Sequence, residues 1–292
     1  MGTLNRLIIC FSFLCFVFLW GCEVIDPEDP VPSYIYIEDI QTHTKTGQGT
    51  DKQQFSDAWV YLNHDLVGAF ELPAMVPVIA EGENLISIKP GIKLNGISST
   101  RASYPFMKQY ETTVALQKEK IDTLDVDVSY FDAVEFPWGT HGQEDFEQSG
   151  ISLDSTPDSD AMIIRQTHTV FEGQMAGHIE LDSAGAVFYI ESTHEFDYPG
   201  QNAQTFLEIH YKANNSFTVG LKMYNYTGTI TQNPIVNVNP KNHWNKMYIN
   251  LTPPLSRKPE TSKYKVYLSG NINTDEEKGD FYFDNIKLVQ KN

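Results

Sequence analysis

Eight side chains in the C-terminal half have types suited to holding a ligand: Glu208, His210, Tyr224, Trp244, Tyr248, Asn250, Tyr267 and Tyr282. They lie in runs where apolar and polar residues alternate, and successive side chains of a β-strand point to opposite faces. In 206–212, Leu207, Ile209 and Tyr211 share one face, while Phe206, Glu208, His210 and Lys212 share the other. In 217–224, Val219, Leu221 and Met223 point inward and Lys222 and Tyr224 outward; in 244–251, Met247, Ile249 and Leu251 turn in, leaving Trp244, Lys246, Tyr248 and Asn250 out. Val266, Leu268, Phe281 and Phe283 turn in, leaving Lys265, Tyr267 and Tyr282 out. Were these strands to share one sheet, its outer face would set aromatic rings beside hydrogen-bonding groups. A sugar needs such a surface, because its C–H face packs on a ring and its hydroxyls take the polar groups. Exposed tyrosines are also ordinary strand formers, worth about 0.2–1 kcal/mol per cross-strand pair. The loop 194–201, with Tyr198, is the rival location for a ligand.

Signatures of catalysis are missing. There is no G-x-S-x-G elbow, H-E-x-x-H pair, Walker A loop or G-x-G-x-x-G turn. His194-Glu195 has no histidine three residues on, and the eight histidines are scattered, so no transition-metal site is read from spacing. A glycosidase needs only two carboxylates, and the chain has 38 acids, but it is short for a glycosidase plus an accessory domain. The expectation is a protein that is not an enzyme.

The elements that would position these residues are strands. The chain holds 15 Tyr and 17 Phe and no long Ala/Glu/Leu/Lys runs, a composition that favours β structure. Strand-like runs recur at 34–37, 58–62, 76–79, 85–88, 110–116 and 121–130, divided by turn residues such as Asn63-His64-Asp65 and Glu81-Gly82-Glu83-Asn84. A boundary near 131–140 precedes further runs at 161–166, 178–181, 186–192, 206–212, 217–224, 244–251, 264–269 and 281–289. The expected fold class is all-β: a small Ig-like β-sandwich over 34–130, then a jelly-roll β-sandwich over 131–292. The net charge of −17 argues against nucleic acid, or an anionic membrane, as a partner held by a basic face.

The first 21 residues set the address. Residues 7–19 are apolar apart from Ser12, too short for the roughly 20 residues of a membrane span and suited to a secretory signal. Leu19-Trp20-Gly21-Cys22 resembles the lipobox of bacterial lipoproteins, with Trp20 a departure where a small residue is usual. That resemblance implies lipidation of Cys22, the one cysteine after the apolar run, and an effectively permanent anchor. Glu23, Asp26, Glu28 and Asp29 alternate with Pro27, Pro30 and Pro32, an extended tether over 22–33. The tether resembles acidic export signals of surface lipoproteins in bacteria with Sus-type glycan uptake. The expected location is therefore the outer membrane, facing outward, with a periplasm-facing linker as the alternative.

Two further resemblances concern the domains. The stretch SDAWVYLNHDLVGAFELPAMVPVIAEGENLISIKPG looks like an Ig-like or PEGA-like module. DFEQSG at 145–150, FLEIHYKANNSFTVGLKMYN, WNKMYINL and the closing GDFYFDNIKLV resemble the galactose-binding-like jelly rolls of carbohydrate-binding modules. That likeness implies non-catalytic binding of a polysaccharide or oligosaccharide. It also implies a structural calcium, for which Glu147, Asp284 and Asp145 would be the ligands, although calcium needs six to eight oxygens. The acid-rich run 154–160 lacks the EF-hand glycine and reads as a solvated loop. The alternative reading is an interaction lipoprotein docking on an outer-membrane transporter or secretion complex without binding sugar.

Overall fold

The structure is a computed structural model that describes residues 30–272 and 278–291. Cys22, the lipobox and most of the tether lie outside the described residues. Among those described, no helix is long and apolar enough to cross a membrane.

The fold is all-β. In the N-terminal region the strands are β1 (Ser33–Ile37), β2 (Ile40–His43), β3 (Asp57–Leu62), β4 (Asp65–Glu71), β5 (Ala74–Val78), β6 (Gly82–Lys93), β7 (Arg101–Ser103), β8 (Tyr110–Leu116), β9 (Ile121–Thr123) and β10 (Val126–Ser129). A five-stranded sheet runs β4-β3-β6-β7, with β8 also on β6, and faces the smaller sheets β5-β1-β9 and β10-β2. The β3–β4 hairpin turns through Asn63 and His64, both at positive φ (49° and 77°), where Asn is tolerated because its short polar side chain bonds locally. The alternation that marks 121–130 as one strand becomes two short strands, β9 pairing in parallel with β1 and β10 in parallel with β2.

After Tyr130 come β11 (Val134–Glu135), β12 (Leu153–Ser155), β13 (Ile164–Gln166), β14 (Ala176–Leu181), β15 (Val187–Ser192), β16 (Phe196–Asp197), β17 (Gln204–Ala213), β18 (Phe217–Asn225), β19 (Ile230–Val238), β20 (Lys241–Asn250), a single turn of helix α1 (Thr252–Ser256), β21 (Thr261–Asn271) and β22 (Gly279–Lys291). They form a jelly-roll sandwich of two antiparallel sheets. Sheet one runs β13-β14-β22-β17-β20, with β11 beside β22; sheet two runs β12-β15-β21-β18-β19, with β16 beside β21. Between them lies the core, where Leu207, Ile209 and Tyr211 meet Val219, Leu221, Met223, Phe281 and Phe283 as the alternation requires.

The two regions are joined by a second apolar core. Tyr104 and Phe106 of the first region pack on Phe206 and Tyr248 of sheet one, with ring centroids 5.1–6.0 Å apart. Phe55 stacks on Tyr248 at 6.1 Å. The turn at 94–96 continues sheet one beyond its edge strand: Leu94 bridges Tyr248, Asn95 N–H donates to the Tyr248 carbonyl at 2.9 Å, and Asn250 N–H donates to Asn95 Oδ1 at 2.8 Å.

Candidate functional site

The eight expected ligand residues do not form one open face. Trp244, Tyr248, Asn250, Glu208, His210 and Tyr282 stand on the outer side of sheet one, but Tyr224 and Tyr267 belong to sheet two, on the opposite side of the sandwich. Tyr267 is itself buried there, stacked on Tyr189 at 5.0 Å and lying against Gly220. Alternation gives the face within a strand, whereas sheet membership is set by the order of pairing.

Much of the outer side of sheet one is closed by the N-terminal region. Glu208 is fully buried, and His210 and Tyr248 are 2% exposed. Glu208 forms an ion pair with Lys246 at 2.7 Å and lies 3.9 Å from Lys287. It also accepts hydrogen bonds from Tyr104, from Tyr130 at 3.0 Å and from Gln53 at 3.2 Å. Burial pushes the Glu208 carboxyl up, but the two lysines outweigh it and hold the group down at about 2. Burial pulls the Lys287 ammonium down to about 7 against the attraction of Glu208. Lys287 Nζ donates to the Thr50 carbonyl at 2.9 Å, and Lys246 Nζ to that of Lys52 at 3.1 Å. His210 is capped by the Phe171 ring at 4.0 Å, and burial lowers its pKa well below the ordinary value, so it is neutral. Glu208, Lys246 and Lys287 therefore lock the two regions together, while His210 is closed off by the sandwich's own Phe171. Trp244, Tyr282 and Asn250 stay half-exposed, with Asn250 engaged at the junction.

The residues implied for calcium are engaged by the chain's own N–H groups. Asp284 is fully buried, and its Oδ2 accepts the N–H groups of Phe171 and Glu172, both at 3.2 Å, while Oδ1 accepts that of Asn285 at 2.9 Å. Burial raises its pKa to about 7 despite those bonds. Glu147 Oε1 accepts the N–H groups of Gln174 and Met175 at 2.7 and 2.8 Å, and Asp145 accepts that of Glu147 at 3.1 Å. Two of the three thus fasten the loop 171–175 and the third caps a local turn. They are not among the groups of acids and histidines whose ligand atoms converge within 4.8 Å.

The site that the structure does assemble is a cleft of about 640 Å³ at the junction of the two regions. One wall is β20, the edge of sheet one; another is the end of β19, the edge of sheet two; the turn 93–98 forms the third. Five amide side chains line it (Gln54, Asn95, Asn237, Asn239 and Asn245), with Ser56, Ser98, Tyr211 and Tyr248. Lys93 and Lys241 add positive charge, Ile97 and Val236 supply apolar surface, and no carboxylate lines it. Lys246 is held by Glu208 and Lys93 by Glu71, while Lys241 is exposed. The third wall depends on Asn95-Gly96, a turn at φ 53° and 71°. A Cβ on Gly96 would stand 2.8 Å from the Met247 methyl, so glycine serves both the turn and the close approach. Of the expected ligand residues only Tyr248 reaches this cleft. The signals that mark it in the sequence are the Asn-Gly pair and the asparagines that recur through 233–245.

No protein-family model matches the chain, and no curated protein matches it. Solved structures similar to it include the family 22 xylan-binding module of Xyn10C from Paenibacillus barcinonensis, at 10% identity and a TM-score of 0.38, covering 51% of this chain and 92% of that one. A carbohydrate-binding module of the β-sandwich superfamily, described for promiscuous specificity, aligns at 13% identity and TM-score 0.39, covering 90% of this chain and 99% of its own. The family 30 module of a Clostridium thermocellum cellulosomal cellulase aligns at 15% identity and TM-score 0.33, covering 48% and 88%. These neighbours are carbohydrate-binding modules, and at such identities and scores no residue of theirs is matched to one here.

Proposed function

We propose that the protein binds glycan without chemical conversion, in the cleft between its two β-sandwich regions. The lining of that cleft carries the proposal. Sugar hydroxyls both donate and accept hydrogen bonds, and amide side chains do the same, so the cleft's asparagines and glutamine match a hydroxyl-rich ligand. Ile97 and Val236 offer apolar surface for the C–H faces of a ring. Glycoside hydrolysis requires a pair of carboxylates, and none lines this cleft.

The apolar run 7–19 and Cys22 support a lipid anchor, and the acidic tether supports display on the outer face of the outer membrane. In that setting the protein captures saccharide for a neighbouring transporter or enzyme. Its Ig-like or PEGA-like N-terminal module serves as a spacer and forms one wall of the site. The test is a thermal melt of the intact chain with a panel of neutral and acidic polysaccharides. A ligand that binds only the folded state adds about 2.7 kcal/mol at a hundredfold excess over Kd, or about 5–10 °C for a chain of this size. Such a rise with one class of polysaccharide is the expected result. A flat response to every glycan, with co-purification of an outer-membrane transporter or secretion complex, would favour the docking reading instead.

A further inference from the structure

Away from the cleft, on the part of sheet one that the N-terminal region leaves open, three potential metal ligands meet. His178 and Glu180 lie two residues apart on β14 and so share a face. The antiparallel register sets Asp280 of β22 opposite Glu180 and Tyr282 opposite His178. A ligand atom of each of His178, Glu180 and Asp280 lies within 4.8 Å of the other two, and among the described residues no other group of three or more acids and histidines does so. His178 Nε2 is 2.8 Å from Asp280 Oδ1. Its ring lies flat on that of Tyr282, with centroids 4.3 Å apart and planes 7° from parallel, which fixes the plane of the imidazole. Asn214 Oδ1 accepts the Asp280 N–H at 2.7 Å and holds the start of β22.

We propose that His178, Glu180 and Asp280 bind a divalent transition metal of the zinc class. At metal–ligand bonds of about 2.0–2.2 Å, tetrahedral donors stand about 3.3–3.6 Å apart, so the His178–Asp280 pair at 2.8 Å opens slightly and the wider separations, none above 4.8 Å, close by about 1.5 Å at most, within reach of side-chain rotation. A neutral imidazole and two carboxylates carry two negative charges, which match a divalent ion. The nitrogen donor and the shortage of oxygens disfavour calcium and magnesium. The side chains are 12%, 46% and 29% exposed for His178, Glu180 and Asp280, so the ion enters from solvent and water completes its shell. Lys278, itself 49% exposed, now pairs with Glu180 and is the cation that the metal displaces. The ion would tie β14 to β22, the two strands that carry the triad.

The experiment is calorimetric titration of the intact chain with zinc, repeated with cobalt to read its visible ligand-field bands. One ion per chain is expected, with cobalt bands typical of low coordination. His178→Ala and Asp280→Asn should each weaken binding by about tenfold or more, since even outer-shell losses cost about 10–100-fold. Lys278→Ala should hold or tighten it, and His43→Ala, in an exposed pair with Asp127, should leave it unchanged. His178→Gln, checked by circular dichroism, separates loss of a ligand from loss of fold. Binding that survives both His178 variants, or that disappears with His43→Ala, would overturn the proposal, as would the absence of one-to-one binding.

Discussion

Replacing Glu208 by Gln keeps the shape of the side chain and removes its charge. Lys246, whose side chain is fully buried, loses the partner 2.7 Å away, and the buried Lys287 loses the carboxylate at 3.9 Å. Breaking a buried pair from one side costs about 3–5 kcal/mol, because the stranded charge has no water to replace its partner. At about 2–4 °C per kcal/mol for a chain of this size, the Tm should fall by about 6–20 °C. The assay is a calorimetric melt at neutral pH. A second substitution, Lys246→Met, removes the stranded ammonium and should recover more than half of the loss, as apolar replacement of buried pairs often does. Were Glu208→Gln to melt within about 2 °C of the parent, Glu208 would not be the closed anchor between the two regions. The reading of the sheet face as covered would then be wrong.

Other consequences follow from the same geometry. The Glu208 carboxyl sits at about 2 when folded and at about 4.3 when unfolded, so its contribution is complete above about 4.3 and is lost as pH falls towards 2. Near 3 kcal/mol is involved, and urea midpoints at pH 5 and pH 2.5 should show a larger drop for the parent than for Glu208→Gln. Lys287 behaves in the alkaline range: folded at about 7 and unfolded at about 10.4, it binds fewer protons when native. Stability should therefore rise with pH from 7 to 10, and Lys287→Met should flatten that rise in the same urea series. Gly220→Ala puts a Cβ 2.3 Å from the Tyr267 ring; it should cost about 1–3 kcal/mol and disturb the Tyr189–Tyr267 stack, visible by near-ultraviolet circular dichroism. Arg101→Ala removes bonds of 2.6 and 2.7 Å to Asp57, whose side chain is 5% exposed, and should cost about 1.5–3 kcal/mol in chemical denaturation.

The strands of the C-terminal sandwich were legible because their alternation is strong. Leu207, Ile209 and Tyr211 point inward as read, and so do Phe281 and Phe283. Three things escaped for identifiable reasons. First, a polar outward residue looks the same whether it meets water or a buried partner, so Glu208, His210 and Lys246 read as open surface although the N-terminal region covers Glu208 and Lys246 and the Phe171 ring covers His210. Second, the split of Tyr224 and Tyr267 from Trp244 comes from long-range pairing, which a strand's own residues do not encode. Third, β19 is an edge strand, polar and interrupted by Pro234 at a shift of register. Its weak pattern hid one wall of the cleft, although proline marks an edge in its own right. The expected strand at 161–166 shortens to Ile164–Gln166 for a related reason: as β13 it is an edge with one partner. The calcium ligands rest on resemblance to a motif alone; the structure shows Asp284 and Glu147 fastening a loop through its N–H groups.

The most direct test is calorimetric titration of one binding oligosaccharide against the parent, Asn239→Ala, and the pair Trp244→Ala and Tyr282→Ala. If the cleft is the site, Asn239→Ala weakens binding several-fold or more while the Trp244 and Tyr282 variants bind as the parent does. Binding that is lost with Trp244 or Tyr282 and indifferent to Asn239 would contradict it and return the site to the open part of the sheet.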